Sequence, residues 1–519
     1  MTADIYLVEV DARLDVAGSL ATLRFASGPG YNHPSAPGYY EPRLANPLTL
    51  RRTLFSAGAT SGAVGVGTGA IDLANLDGGL DALIGYGFDG GRATVRTLRP
   101  DQPYGAARIM AVLTLEQPEL TWTKASLRLR DRLQELETRR LQPRRYEGSN
   151  QGAEGVEGGA ADLKGRPKLL AYGRVRNAAP PCVNAARLIY QLNDGAVAEA
   201  QAYDRGAALN QQPDYADRAE MEATAPSPGA FRLWRAGGYL RLGSPPTGLL
   251  TADILVGTAA ERTAAALLAA MAIGPGGLNP ADVAQEDVDA LRLANAAELG
   301  LWVDAETSVR AAMEQVANSI GAWFGFDRLG RLRMGRLEAP VGPPAAVLTR
   351  LSAAAATGAP GDILSIERRP TDEPGRGAPC AGVRLTYQRN WSVQDTDLAG
   401  VVSSARRAFL GQATRVAIAE DPSIRLQFPG AIQRDFDSLI DDPAAAQAEC
   451  DRRLALRRAR RDRLVARVRL DPDLLETVDL GAVIQLTLPR FGLLPGKLFV
   501  VIGLDLDAAA GVLDIDLWG

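Results

Sequence analysis

The chain has 519 residues, 46% apolar and 23% charged, with 57 basic and 61 acidic side chains and a formal charge of −4. That composition excludes a disordered chain, and so small a charge excludes a global pull toward nucleic acid or anionic membrane. At this length three or four domains are expected.

The first 120 residues read as strands. DIYLVEVDA, SLATLRFAS, RATVRTL (92–98) and ARIMAVLTL (107–115) alternate or run apolar between turn-rich segments, which predicts a small β-barrel or sandwich. TKASLRLRDRLQELETRRLQ (123–142) reads as a closing helix with a charged outer face. This first unit is set at 1–145. A glycine-rich stretch, YEGSNQGAEGVEGGAADLKGRPK (146–168), opens a second β-rich unit at 146–260, with turns at Asn193-Asp194-Gly195 and Asp204-Arg205-Gly206.

From Glu261 the pattern becomes helical. ERTAAALLAAMAI stops at Gly274-Pro275-Gly276-Gly277, and Asn279-Pro280 caps the next helix. Val309, Met313, Val316, Ile320 and Trp323 recur at helical spacing, and Asp327–Gly330 then turns a hairpin. This α+β insert, with its amphipathic helices, is set at 261–340. A Pro/Ala/Gly linker follows at 341–362. The last unit, 363–519, holds a basic helix at 442–470 and three closing strands. The fold class expected is multidomain and mainly β, built of tube-like barrels or sandwiches.

The glycine-rich stretch fails as a phosphate loop. A Walker loop needs Gly-x-x-x-x-Gly-Lys-Ser/Thr opening a helix, but here Lys164 precedes Gly165, and Glu147, Glu154, Glu157 and Asp162 would repel an anion. An extended, flexible connector is the reading that remains. Gly65, Gly67 and Gly69 lack the spacing of a dinucleotide fingerprint, and Asp72, Asn75, Asp77 and Asp81 lack the rhythm of a calcium loop. Turn aspartates explain them.

The single histidine, His33, has no nucleophile elbow and no Cys or Glu constellation beside it. Cys182, Cys380 and Cys450 are odd in number and far apart, so three buried thiols are expected and not a disulfide framework. No catalytic, cofactor-binding or metal-ligating residue is assigned, and no cofactor is expected. The arginines of the Arg452–Arg469 helix read as an amphipathic surface or interface helix, with contact to DNA as the alternative. No run approaches 18 apolar residues, so no membrane span is expected, and the N-terminus MTADIYLVEVDARLDV has no secretory pattern.

Several stretches together resemble the tail-tip or baseplate hub proteins of tailed bacteriophages. They are LLETVDLGAVIQLTLPRFGLLPGKLFVVIGLDLD with LDIDLWG, SVRAAMEQVANSIGAWFGFDRLGRLRMGRL, ADLKGRPKLLAYGRVRNAAPPCVNAARLIYQLNDG and GTGAIDLANLDGGLDALIGYGFDGGRATVR. The resemblance implies a structural virion protein and not an enzyme. Such a protein closes the tail tube as a ring of barrels, a homotrimer or alternatively a hexamer, and forms part of the DNA-ejection conduit. The partners implied are the distal tail or tail tube protein, the tape-measure protein, central fibre or receptor-binding tip proteins, and DNA in passage. The location implied is the virion tail tip, after assembly in the host cytoplasm. Some relatives hold an iron–sulfur cluster on clustered C-terminal cysteines, a pattern that Cys182, Cys380 and Cys450 do not match. Two other readings are kept. One is a tail-associated carbohydrate-active enzyme using an Asp/Glu pair. The other is a receptor-binding tip presenting Tyr31, Tyr39 and Tyr40.

Overall fold

The computed structural model describes residues 4–55, 59–351, 362–370 and 379–519. Its largest sheet has fifteen strands, numbered here along the chain. The N-terminal eight are β1 (Ile5–Arg13), β2 (Leu20–Ala26), β3 (Leu44–Thr53), β4 (Gly65–Ala74), β5 (Arg92–Leu98), β6 (Arg108–Leu115), β7 (Glu119–Leu120) and β8 (Lys124–Arg130). Their order is β2-β1-β5-β6-β8-β4-β3, with β7 paired to β8. Glu41, just before β3, closes the ring: Ala26 N–H donates to its carbonyl at 2.7 Å and its own N–H donates to Arg24 at 3.0 Å. These strands therefore curl into a barrel.

The 123–142 stretch is not one helix. Ala125, Leu127 and Leu129 are buried at every second residue, the period of a strand, and the segment pairs as β8. Asp131 ends it by accepting the N–H groups of Leu133 (3.0 Å) and Gly67 (2.6 Å), and only Leu133–Thr138 is helical.

The remaining seven strands are β9 (Ala346–Leu348), β10 (Arg350–Leu351), β11 (Asp362–Arg369), β12 (Arg463–Arg469), β13 (Val483–Leu486), β14 (Lys497–Asp507) and β15 (Val512–Trp518). They run β14-β15-β12-β11-β10, while β13 pairs with both β14 and β9. Because β9 leads into β10 within two residues, this set also closes into a barrel. The linker expected at 341–362 thus contributes a barrel wall through β9 and β10; its residues 352–361 lie outside those described.

The two barrels are one sheet. β3 pairs antiparallel with β14, from Thr49 opposite Asp507 to Thr53 opposite Gly503. One core runs through both, with Leu50, Ile71 and Leu127 clustered with Leu464, Phe499 and Ile515. The first and last units read from the sequence are therefore joined side by side.

Between them in sequence lies a sandwich of two five-stranded sheets, packed on Val175, Leu192, Phe231, Leu240 and Ile254. Asp204-Arg205-Gly206 is a hairpin turn, with φ of 52° and 79° at Arg205 and Gly206. Asn193-Asp194-Gly195 is not a hairpin turn: it carries the chain from Ile189–Gln191 in one sheet to Glu199–Asp204 in the other. Buried Asn193 holds that corner, accepting from Ala171 N–H at 2.9 Å and donating to Ala196 at 3.1 Å. The 146–168 stretch is also not an extended flexible loop. Tyr146, Val156 and Leu163 are buried against Val183, Ile189 and Tyr239, so the segment packs on its own chain as a small lobe.

In the insert, the helices α1 (Ala264–Ile273), α2 (Gln285–Ala294) and α3 (Val309–Ser319) pack together. The last stops before Gly321, at φ 67°, so Trp323 lies in the strand Ala322–Phe326 and not on the helix. The basic helix is likewise shorter than read. It spans Pro443–Arg457 (α4), and 463–469 is β12, with Leu464, Ala466 and Val468 buried in alternation.

Candidate functional site

The residues weighed in the sequence are absorbed by structure. Asp72 pairs with Lys124 at 3.2 Å, Asp77 with Arg43 at 2.8 Å, and Asn75 Nδ2 donates to Asp81 at 2.9 Å. Among the described residues no group of three or more His, Cys, Asp or Glu is placed to hold a metal. His33 hydrogen-bonds Ser35 at 2.8 Å and stacks on Tyr31. Tyr31 and Tyr40 are buried and only Tyr39 is exposed, which removes two of the three aromatics read as a receptor-facing set.

The cysteines are free, and Cys380 and Cys450 are buried. Burial pushes the Cys450 thiol up to about 11, the opposite of what a nucleophile needs.

Of the surface and interface readings of the arginines in α4, the surface one is corrected at Arg453 and Arg457. Arg453 is almost wholly buried, pairing with Glu449 at 2.7 Å and donating to the Asn318 carbonyl at 2.7 Å. Arg457 donates to Thr60 at 2.6 Å. Arg453 thus ties the insert, and Arg457 the first unit, to the C-terminal part of the chain, and buried charges must be paired to persist.

Glu298 and Glu449, in the main cleft, are held low by arginines. A cleft of about 750 Å³ is lined by Arg174, Arg176, Glu298, Asp441, Glu449 and Arg452. Burial alone would raise Glu298, but hydrogen bonds from Arg174 and Arg262 outweigh it and hold the carboxyl low. Arg452 and Arg453 do the same to Glu449. A glycosidase acid must instead be raised. Asp131 and Asp327 are raised, chiefly by burial, but both carboxylates accept backbone N–H groups at turns.

What the fold does build is a polar wall. Strand pairing aligns one outward row across seven strands: Arg130, Thr68, Arg51, Asp505, Asp514, Arg467 and Ser365. A second row runs Arg128, Ala70, Thr49, Asp507, Val512, Arg469. Opposite partners in a sheet point to the same side, so both barrels share this face. Five of its arginines are paired: Arg467–Asp514 at 2.6 Å, Arg463–Asp516 at 2.5 Å, Arg369–Glu367 at 2.6 Å, Arg128–Glu119 and Arg130–Glu116 at 2.5 Å. Burial, with Asp514 and Asp507 nearby, raises Asp505 despite Arg51 opposite.

The wall has two free ends. Among the described residues no strand bonds to the far side of β11 beyond Ile363, or to the far side of β7. Nothing in the sequence singled out this wall, because its rows join residues more than 400 positions apart. The only local signal was the alternation of charged and apolar residues in β12 and β15.

No family model matches the chain, and no curated protein matches it. Among solved structures it is similar to a tail protein from Neisseria meningitidis, at 12% identity and TM-score 0.40, covering 99% of this chain and 96% of that one. It is similar also to a 43 kDa prophage tail protein from Shewanella oneidensis, at 8% identity and TM-score 0.41, covering 99% and 98%. A chain of a native gene transfer agent virion aligns at 18% identity and TM-score 0.42, covering 73% and 91%.

Proposed function

We propose that the chain is a structural protein of a phage tail, and within the tail the hub that closes the tube as a ring. The observation that carries the reading is the pair of barrels fused through β3 and β14, sharing one polar face with a free strand edge at each end. Unequal edges at opposite ends favour a head-to-tail contact, β11 of one copy beside β7 of the next, and such contacts generate closed rings when the rotation permits.

On this reading three copies present six barrels, and the polar face lines the lumen through which DNA passes. The rims meet the distal tail or tail tube protein, the tape-measure protein and the central fibre or tip proteins. The protein resides in the virion, after assembly in the host cytoplasm.

Mass photometry of the purified chain, alone and mixed with its neighbouring tail proteins, tests this. A trimer, or a ring formed only with those proteins, supports the hub. A stable monomer that ignores them overturns it, and release of reducing ends from polysaccharide would then favour the carbohydrate-active reading.

A further inference from the structure

We propose that the shared polar face is matched to a polyanion that passes over it without being held. The inference rests on the conduit reading and adds how the wall treats its cargo.

The face is rich in arginine. Arg51, Arg128, Arg130, Arg463 and Arg467 project from three strands, β3, β8 and β12, of one surface. Unopposed, such a set would bind duplex DNA, because each cation that neutralises a phosphate releases a condensed counterion. Here four of the five guanidiniums are already engaged in ion pairs. Arg467 and Arg463 sit 2.6 and 2.5 Å from Asp514 and Asp516, and Arg128 and Arg130 each 2.5 Å from Glu119 and Glu116. Arg51 stands opposite Asp505 in register. A guanidinium held by a carboxylate of its own wall gains little by exchanging it for phosphate, and the carboxylate then repels the polyanion. Trp518, opposite Arg463 on this face, is buried and offers no base a stacking surface. The carboxylates therefore act as masks, and their removal converts a sliding surface into a binding one.

The test is fluorescence anisotropy of a labelled DNA duplex of about 30 base pairs at roughly 50 mM salt. The wild-type chain is expected to give no saturable binding. The Asp514→Asn/Asp516→Asn variant is expected to bind, with log K falling against log salt at a slope near −2, about 0.9 for each freed arginine. Arg467→Ala added to it should remove about one unit of that slope. Glu116→Gln/Glu119→Gln, on the other barrel, is an independent unmasking and should also bind. Wild-type binding as tight as that of the variants overturns the proposal, and so does failure of both folded variants to bind. Mass photometry of the same samples keeps the two readings apart: loss of ring formation bears on the hub, not on the mask.

Discussion

The carbonyl of Arg328 accepts the Val112 amide hydrogen at 2.7 Å, and its guanidinium donates to the carbonyls of Ile109 (2.7 Å) and Met110 (3.1 Å). A hairpin turn of the insert thus covers the side of β6 that β8 leaves unpaired, where β6 and β8 meet only at Thr114–Leu115. The same side chain donates to the Leu475 carbonyl at 3.2 Å in the second barrel. One arginine therefore connects insert, first barrel and second barrel.

Arg328→Ala strands these carbonyls, since a partly buried acceptor loses a partner that water replaces poorly. A loss of about 2 kcal/mol is expected in urea unfolding. Arg328→Lys, with one point charge in place of a planar fork, should recover only part of it. A variant as stable as wild type would show that the hairpin is held by packing alone.

The alternating glycines of β4 give a second prediction. A Cβ on Gly69 would lie 2.2 Å from the Thr49 carbonyl oxygen, and one on Gly65 2.4 Å from Thr53 Oγ1. β3 and β4 approach too closely there for any side chain. Gly69→Ala should cost about 1–3 kcal/mol by forcing the two strands apart. Gly105→Ala, where a Cβ meets nothing within 4 Å, is the control and should be silent in the same thermal melt.

These glycines illustrate what was legible in the sequence and what was not. Gly65, Gly67 and Gly69 could be denied a phosphate role from spacing alone, yet the reason for Gly65 and Gly69 lies in Thr53 and Thr49 on the paired strand, and Gly67 faces Asp131 and Arg52. Strands with clean alternation were readable, and 92–98 is β5 as expected. The 123–142 and 442–470 stretches misled because arginine and leucine serve strands and helices alike, so burial by a neighbouring sheet decided the period. The fusion of the barrels left no local trace, because β3 and β14 are brought together only by the folded chain. Arg453 was unreadable for another reason: charge patterns mark exposed faces by default, and its burial depends on Glu449 and the Asn318 carbonyl.

Thiol chemistry should follow burial. Cys450 is fully buried, its Sγ lies 3.4 and 3.5 Å from the Val383 and Ala417 carbonyls, and burial holds its pKa near 11. At pH 8 iodoacetamide should modify half-buried Cys182 well before Cys450, as read by peptide mass spectrometry over time. Equal rates in native buffer would mean that the three-stranded sheet of Gly382–Tyr387, Arg415–Glu420 and Gln433–Phe436, which packs on α4, opens readily.

Glu449 should set the acid limit of the fold. Its carboxylate is almost wholly buried and takes Arg452 at 2.7 Å, Arg453 at 2.7 Å and Arg336 at 3.4 Å. Burial by itself would raise the carboxyl, but these cations outweigh it and the pKa lies below the ordinary 4.5. A folded-state pKa below the unfolded one means that the stability it confers is fully present above pH 4.5 and is lost as pH falls through the lower, folded value. Stability in urea should therefore decline with acid below that point. Glu449→Gln should cost about 3 kcal/mol at neutral pH, because it leaves the buried Arg453 charge without its counterion. The variant should also lose part of the acid slope, having no carboxylate left to protonate there. An unchanged slope would place acid sensitivity elsewhere, and an unchanged neutral stability would mean that the Asn318 carbonyl suffices to hold Arg453.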